Sequence, residues 1–274
     1  QSVLDQTFRD LELVICDNGS TDATEQICRD YSARDDRIRY IRSPENRGAS
    51  WSYNHSVEMA RGKYFRWLAH DDKFDPQLVE KSVAILDENP EVVSCITWFM
   101  DIDHDGNPIE VKRSTVQFDA ERPNKRFLSM SEFRPSYNCE EVFGLIRIDA
   151  LRRTRLIEKY ADSDRTLIAE LGLHGPFHEI PEPLFLHRLH PKSSVEVYPS
   201  RQERTVWFDP SRKGKLVFPN WRQYFELLTI IAKSPISADE KLLCYRHMLH
   251  WTKRGRYRLI GDINWAIQHI ARES

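Results

Sequence analysis

The sequence has no apolar run close to the roughly 20 residues that cross a bilayer, and no signal peptide is visible in it. Its 40 basic and 42 acidic residues nearly cancel, which argues against broad, non-specific binding to nucleic acid. Cysteine is scarce, with 5 widely spaced residues and no C-x-x-C pair. We therefore expect reduced thiols in a cytoplasmic protein, without a disulfide framework or a structural zinc site.

The composition is that of a folded domain. Of the 274 residues, 40% are hydrophobic and 11% are aromatic, which is enough for a packed core. The length predicts either one large domain or one domain with a small appendage. No internal repeat or low-complexity stretch is present.

Strands and helices alternate through the first hundred residues. Apolar and β-branched runs predict strands at 11–16, 38–41, 63–68 and 92–100, with helical segments between them. Such alternation predicts an α/β fold, a mainly parallel Rossmann-like sheet with helices on both faces. Ligands bind such sheets beyond the carboxyl ends of the strands, where Asp17 and Asp71 fall.

The second half of the chain predicts shorter elements, beginning with a hairpin turn at Asp105-Gly106 and an irregular polar stretch at 110–135. The others are a strand at 141–148 that contains Gly144, a helix at 164–173, two strands within 177–187 separated by Pro181 and Pro183, and amphipathic helices at 219–233 and 238–251.

Beyond residue 200 the chain becomes rich in tryptophan and arginine. We predict a boundary there, between a catalytic domain at 1–199 and a helical extension at 200–274. Two interpretations of the extension remain open. Its aromatic residues pack it onto the catalytic domain, which is the favoured interpretation, or the basic and aromatic run at 250–258 contacts anionic lipid headgroups.

Two acidic loops carry the chemistry. Adjacent Asp71 and Asp72 at a strand end could bind Mg²⁺ or Mn²⁺, since hard cations prefer carboxylate oxygens. The alternative is a pair of aspartates that only caps the next helix. Asp17 and Asn18 could contact a base, and Gly19 would let the backbone approach it. The alternative there is a tight connection between strand and helix.

The opening run from Gln1 to Asp22, the motif Asn46-Arg47-Gly48-Ala49 and the run from Gly62 to Asp72 together resemble family 2 glycosyltransferases of the GT-A fold, over roughly residues 1–195. The resemblance implies an inverting, metal-dependent transfer of a sugar from a nucleotide-diphosphate sugar to a hydroxyl, in polysaccharide or glycolipid biosynthesis. It implies Asp164 as the catalytic base, with Asp162 in reserve; Asp71, Asp72 and His190 at the metal; and Asp17, Asn18, Gly48, Asp71 and Gly144 around the donor.

Three features depart from that family. Ala69 replaces the usual first acid of the metal motif, and Asn18 stands where many members have aspartate, so its amide can donate as well as accept. The first strand of the fold would precede Gln1. Its absence would leave backbone donors and acceptors of the sheet unpaired, so we expect the sequence to be a fragment of a longer protein.

The resemblance also implies partners: a nucleotide sugar, a glycan or lipid-linked acceptor, and peripheral contact with the inner face of the membrane, but no nucleic acid. Arg188 could contact a phosphate, or it could lie on a solvated face. Two other functions remain open. A nucleotidyltransferase would use similar paired acids and release pyrophosphate, and a non-catalytic module would bind a glycan or a partner without turnover.

Overall fold

The computed structural model describes residues 1–132 and 139–273. Within these ranges the strands are β1 (Leu13–Asp17), β2 (Ile38–Arg42), β3 (Tyr64–Phe65), β4 (Lys73–Phe74), β5 (Ser94–Ile102), β6 (Pro108–Lys112), β7 (Leu145–Arg147) and β8 (Phe177–Arg188). The helices are α1 (Thr24–Ser32), α2 (Ala49–Met59), α3 (Leu78–Glu88), α4 (Pro123–Ser131), α5 (Ile148–Arg152), α6 (Ser163–His174), α7 (Ser194–Val197), α8 (Arg201–Phe208), α9 (Pro219–Lys233) and α10 (Ala238–Glu273).

The α/β fold predicted from the alternation is confirmed, but the strands form two separate sheets. β1 and β2 pair in parallel, with Asp17 at the carboxyl end of β1. The larger sheet has the order β3-β7-β5-β8-β4, and β6 pairs with β5 in a hairpin. Only β5 and β8 are parallel in this sheet, so it is mixed where a mainly parallel sheet was expected. The antiparallel strands β3, β4 and β7 have two or three residues each, too few for a periodic signal.

Proline explains one difference from the predicted elements. The two strands expected within 177–187 are a single strand, β8, whose pairing with β5 shifts register on either side of Trp98. Pro181 and Pro183 lie at these shifts. Proline has no backbone N–H to donate to the neighbouring strand. The pairing is therefore irregular at both prolines, but β8 continues through them.

Other elements differ in extent. The strand expected at 63–68 pairs only at Tyr64–Phe65, and the one expected at 141–148 is a 3₁₀ turn followed by β7 and α5. The stretch expected to be irregular at 110–135 contains α4, and its last three residues lie outside the described ranges. The final helix continues past Trp251 to Glu273, through Gly255, against which the Trp251 ring lies.

Two hydrophobic clusters pack against the larger sheet. The main cluster joins the sheet to α2, α4, α6, α9 and α10, and α6 lies at its centre, with Leu167, Ile168 and Leu171 fully buried. The smaller cluster joins the sheet to α3 through Leu78 and Leu86. The central position of α6 fixes Asp164 in its first turn against a rigid core.

The last two long helices belong to the same core. Trp251 of α10 is buried, donates from Nε1 to the carbonyl oxygen of Ser131 at 3.0 Å, and lies against the ring of Tyr224 in α9. These aromatic residues therefore pack the last helices onto the rest of the chain. None of the helices in the described part of the chain is apolar enough over a sufficient length to cross a membrane.

Candidate active site

Asp17 closes the first strand-end loop. Its Oδ1 accepts from the backbone N–H of Ser20 at 2.8 Å, and its Oδ2 accepts from the Tyr40 hydroxyl at 2.6 Å. Burial would raise the pKa of Asp17, but these hydrogen bonds and the charge of Arg42 hold it below its usual value. Asp17 is therefore a buried, ionised carboxylate that shapes the loop. Its partner Tyr40 lies on β2 and was not among the residues predicted to form the site.

Asn18 links that loop to the next one. Its Oδ1 accepts from Arg47 N at 2.8 Å, and its Nδ2 donates to Asn46 Oδ1 and to the Gly48 carbonyl oxygen, both at 3.1 Å. Both amide hydrogens and one lone pair are thus used within the protein. In this arrangement the side chain of Asn18 holds the two loops together.

Gly48 permits a close approach by a distant segment. Its φ of 87° lies in the left-handed region, and a Cβ there would lie 2.3 Å from the carbonyl oxygen of Phe208. The end of α8 therefore lies directly on the loop before α2. Gly144 has a similar packing constraint, because a Cβ would lie 2.5 Å from Ser94 Oγ on β5. A ligand-binding role for either glycine stays a prediction.

Asp71 and His190 form a pair. His190 Nε2 lies 2.7 Å from Asp71 Oδ2, and His190 Nδ1 accepts from the backbone N–H of Lys192 at 3.3 Å. Because Nδ1 accepts a hydrogen bond, a neutral His190 carries its proton on Nε2. This N–H donates a hydrogen bond to Asp71 Oδ2. Burial would raise the pKa of Asp71, but the His190 hydrogen bond and the charge of His70 hold it below its usual value.

Asp72 is more deeply buried than Asp71 and is held by the end of β8. Its Oδ1 accepts from the backbone N–H of Arg188 at 2.9 Å. Burial raises the pKa of Asp72 to about 6, against the opposing effects of that N–H and of the nearby His187. Adjacent residues thus have different electrostatic environments, with Asp71 readily ionised and Asp72 resistant to ionisation.

Arg188 positions both acids. Its Nε donates to the Asp71 carbonyl oxygen at 2.9 Å, and its Nη1 donates to the Asp103 carbonyl oxygen at 2.8 Å in the β5–β6 hairpin. The guanidinium therefore donates to backbone carbonyl oxygens. This differs from both alternatives considered from the sequence, contact with a phosphate and exposure on a solvated face. It ties the 71–72 loop to the hairpin.

His187 extends this network, although it was not among the residues predicted to form the site. Its Nδ1 lies 3.0 Å from Oδ1 of the buried Asp101, and Lys112 pairs with the other oxygen of Asp101. The parallel register of β5 and β8 places Asp101 opposite His187. This pairing, between residues 86 positions apart in the chain, could not be read from the local pattern of either strand.

Asp164 and Asp162 differ in their partners. Asp162 has a left-handed φ of 65° and forms ion pairs with Arg201 and Arg258. Asp164, in the first turn of α6, is half-buried, and its Oδ1 accepts from Arg165 N at 2.8 Å. It forms no ion pair with any described residue. Burial raises its pKa, which the charges of Arg165 and Arg204 partly oppose.

Tyr53 of α2 connects the acids. Burial raises its pKa, and the negative charges of Asp164, Asp71 and Asp72 raise it further. All three carboxylates therefore contribute to the electrostatic environment of one buried phenol. Sequence reasoning missed Tyr53, because an aromatic residue within a helix gives no signal beyond packing.

The first part of the sequence matches a known protein family. Residues 1–155, more than half of the 274, match the family described as Glycosyl transferase family 2. The chain belongs to glycosyl transferase family 2.

Two curated relatives match part of this family 2 chain. A chondroitin synthase of Escherichia coli is 37% identical over 109 residues, which are 40% of this chain and 16% of that protein. An uncharacterized glycosyltransferase of Methanocaldococcus jannaschii, MJ1057, is 32% identical over 108 residues, which are 39% of this chain and 37% of that protein. The chain thus spans less than half the length of either relative.

Solved structures show the same fold. S. aureus TarS 1–349 in complex with UDP-GlcNAc has a TM-score of 0.65 at 16% identity, over 98% of this chain and 75% of that one. The mannosyltransferase PcManGT from Pyrobaculum calidifontis, in complex with GDP-Man and Mn²⁺, has a TM-score of 0.52 at 15% identity, over 100% and 82%. At these identities the likeness establishes the fold alone, and the predicted GT-A fold is confirmed.

The acids of this family 2 site are compatible with a metal bound largely by its substrate. The described residues contain no group of three His, Cys, Asp or Glu side chains arranged to hold an ion. The Asp71 carboxylate, however, is 22% exposed and ionised, and it offers the hard oxygen that Mg²⁺ or Mn²⁺ prefers. His190 contacts the Oδ2 atom of Asp71 and thereby orients this carboxylate.

Proposed function

We propose that this chain is an inverting glycosyltransferase that transfers a sugar from a nucleoside-diphosphate sugar to a hydroxyl group. The observation that carries the proposal is the contact of the ionised Asp71 carboxylate with His190 at 2.7 Å, beside the buried Asp72. Asp71 is supported by His190, Asp72 is buried against Arg188, and Asp164 lacks an ion pair with the described residues. Family 2 membership and the GT-A fold support the same reaction.

Asp71 and Asp72 would face the diphosphate of the donor. A divalent ion, Mg²⁺ or Mn²⁺, would neutralise the charge that the diphosphate gains as it leaves. Asp71 is the residue that would hold this ion, with His190 orienting its carboxylate. Asp72 keeps its backbone contact with Arg188 and shapes the loop that presents Asp71. His190 would bind the ion directly only if its Nε2 gave up the hydrogen bond to Asp71 and coordinated the ion instead.

Asp164 would be the general base. In an inverting transfer the acceptor oxygen attacks the anomeric carbon opposite the leaving diphosphate, and the bond between that carbon and the diphosphate oxygen breaks. The acceptor proton passes to Asp164, whose carboxylate is not neutralised by an ion pair. Its raised pKa brings it closer to the operating pH, which suits a base.

The first two loops would hold the nucleoside end of the donor. Asp17, Asn18 and Gly48 form one connected surface through the Asn18 hydrogen bonds. Since the Asn18 amide hydrogens are used within the protein, the base contacts we propose there come from the backbone and from the remaining lone pairs of Asn18 and Asp17. Gly144 would stay beneath the site through its packing on β5.

We propose residues 1–199 as the catalytic segment and 200–274 as an extension that completes it. Arg204 of α8 acts on Asp164, and the end of α8 contacts Gly48. The proposed acceptor is a glycan or a lipid-linked sugar. We place the reaction in the cytoplasm, at the inner face of the membrane.

A donor screen tests the proposal. The protein would be incubated with a panel of nucleotide sugars and either Mg²⁺ or Mn²⁺, and nucleoside diphosphate release would be followed with and without chelator. Release from one donor that chelator abolishes is the expected result. Release of pyrophosphate in a reaction with a sugar phosphate and a nucleoside triphosphate would instead identify a nucleotidyltransferase. Metal-dependent donor binding without release, with simple sugar acceptors present, would identify a binding module.

His190 gives a test of the support for Asp71. His190→Ala removes the hydrogen bond to Asp71 Oδ2, so we expect the apparent affinity for the metal to fall about 10- to 100-fold. His190→Gln retains an N–H that can donate to the carboxylate, so it should recover much of the loss. Metal titration of donor turnover measures both. Equal loss in the two variants would instead favour direct ligation by the imidazole.

The pH profile tests the environment of Asp164. Because its folded pKa is raised, the base is ionised only above that pKa, and activity should be lost as the pH falls through a value above the ordinary 3.8. Arg204→Met removes a charge that lowers the Asp164 pKa, so the acidic limb of kcat/KM should move to higher pH. Arg204→Lys keeps the charge and should leave the limb near its original position. An unmoved limb in Arg204→Met would contradict the assignment of the limb to Asp164.

A further inference from the structure

The long final helix α10 has a second apolar face that the fold does not cover. Its inner face is buried through Cys244, Met248, Trp251, Leu259 and Ala266. An outer stripe of large apolar residues is exposed on another side: Leu242, Tyr245, Leu249, Ile260, Ile263 and Ile267. Leu249 is 72% exposed and Leu242 is 62% exposed, so these residues are among the most exposed apolar side chains of the described chain.

Helical geometry places the outer stripe on one side of α10. At roughly 100° per residue, its members fall within a sector of about 60° around Leu249. They form two groups, Leu242 to Leu249 and Ile260 to Ile267, and Lys253 and Arg256 lie in the same sector between them. Isolated exposed apolar residues are ordinary, but two aligned groups on one side of a helix mark an interaction surface.

Beyond the first turn of α10, which contains Asp239 and Glu240, the charges beside the stripe are of one sign. Arg246, Lys253 and Arg256 fall in or next to the same sector, and they form no ion pair with any described residue. Between residues 241 and 271 the helix contains a single acidic residue, Asp262. Asp262 is fully buried and accepts from Asn220, away from the stripe. The outer face is thus apolar and basic together.

We propose that this outer stripe of α10 lies flat on a lipid surface that contains anionic headgroups. The apolar side chains would enter the boundary between headgroups and acyl chains, and Arg246, Lys253 and Arg256 would meet the anionic headgroups beside them. A second copy of the chain is a poorer occupant, because its own basic residues would face these and repel them. The proposal rests on the membrane contact proposed above and names the surface that makes it.

The structure also separates the two interpretations of the extension, because each face of α10 fits one of them. Trp251, in the basic and aromatic run at 250–258, is directed into the core. The residues proposed to contact lipid are leucine, isoleucine and tyrosine on another side of the helix, with two basic members of that run, Lys253 and Arg256, beside them.

Vesicle co-sedimentation of the whole chain tests the surface, without donor or acceptor present. Phosphatidylcholine vesicles with phosphatidylglycerol should bind the protein, vesicles of phosphatidylcholine alone should bind it weakly, and added salt should release it. The double variant Leu249→Glu/Ile260→Glu should lose binding by on the order of tenfold or more. Ile27→Glu, on α1, is the matched control, because Ile27 is 53% exposed and Ile260 is 51% exposed.

Three results would overturn the proposal. They are absence of wild-type binding to the anionic vesicles, equal binding to neutral vesicles, and equal loss in Ile27→Glu and the double variant. Light scattering without lipid would identify a second copy if the wild type dimerises and the double variant does not. Nucleoside diphosphate release with a water-soluble acceptor is measured separately, so failure of vesicle binding and failure of the transferase activity are distinguishable.

Discussion

Asp164→Asn should lower kcat by about 10²- to 10⁴-fold, the usual contribution of a positioned general base. The asparagine keeps the size of the side chain and its acceptor for Arg165 N, so the first turn of α6 should remain intact. Donor KM should change little, because Asp164 is proposed to contact the acceptor hydroxyl and not the diphosphate. Steady-state transfer with a defined acceptor measures both quantities.

Asp162→Asn is the matched control, two residues away. Its loss would leave the partly buried Arg201 without its carboxylate, which costs about 3–5 kcal/mol of folding free energy. Thermal unfolding should therefore reveal this variant, whereas Asp164→Asn should unfold close to the wild type. A larger kcat loss in folded Asp162→Asn than in Asp164→Asn would assign the base to Asp162.

Asp71→Asn should lower kcat by about 10²- to 10³-fold, the scale of losing one electrostatic contact to a developing anion. The amide is neutral, so it would bind a hard cation weakly. If the NH₂ group of the new side chain faced His190, two N–H donors would oppose each other. We expect the residual activity to need far more Mg²⁺ or Mn²⁺ than the wild type. Metal titration at saturating donor is the measurement.

Asp105→Asn serves as the control for Asp71→Asn. Asp105 lies at the tip of the β5–β6 hairpin with its side chain 84% exposed, so removing its charge should leave turnover unchanged. If Asp71→Asn kept full, chelator-sensitive activity, another residue would have to hold the ion. If it kept full activity that chelator does not affect, the metal role itself would be wrong.

The acidic loops were predictable because their signals are local. Asp17 and Asp71 follow apolar runs, and the parallel pairing of β1 with β2 and the first turn of α6 lie within a few residues of where the patterns put them. Asp101 and His187, in contrast, meet only because β5 and β8 are neighbours in register. Neither strand contains information about the other, so this pair could not be predicted from the sequence.

The same distinction explains the errors in the fold. Alternation of strand and helix predicts parallel pairing, but β3, β4 and β7 are too short to show a period and pair antiparallel. The stripe on α10 was missed for a different reason. A helix that is apolar on two sides has a weakened one-face pattern, so the segment beyond Trp251 did not read as a continuation of the helix.

The close contact between Gly48 and the Phe208 carbonyl has a consequence for the order in which the protein is made. Synthesis runs from the amino terminus, so the loops that carry Asp17, Asn18 and Gly48 emerge first, about 160 residues before α8. Arg204, whose charge lowers the pKa of Asp164, is made later still, with α8. A nascent chain that ends at residue 155 therefore lacks both the proposed base and the arginine that acts on it, so the site we propose is completed late in synthesis.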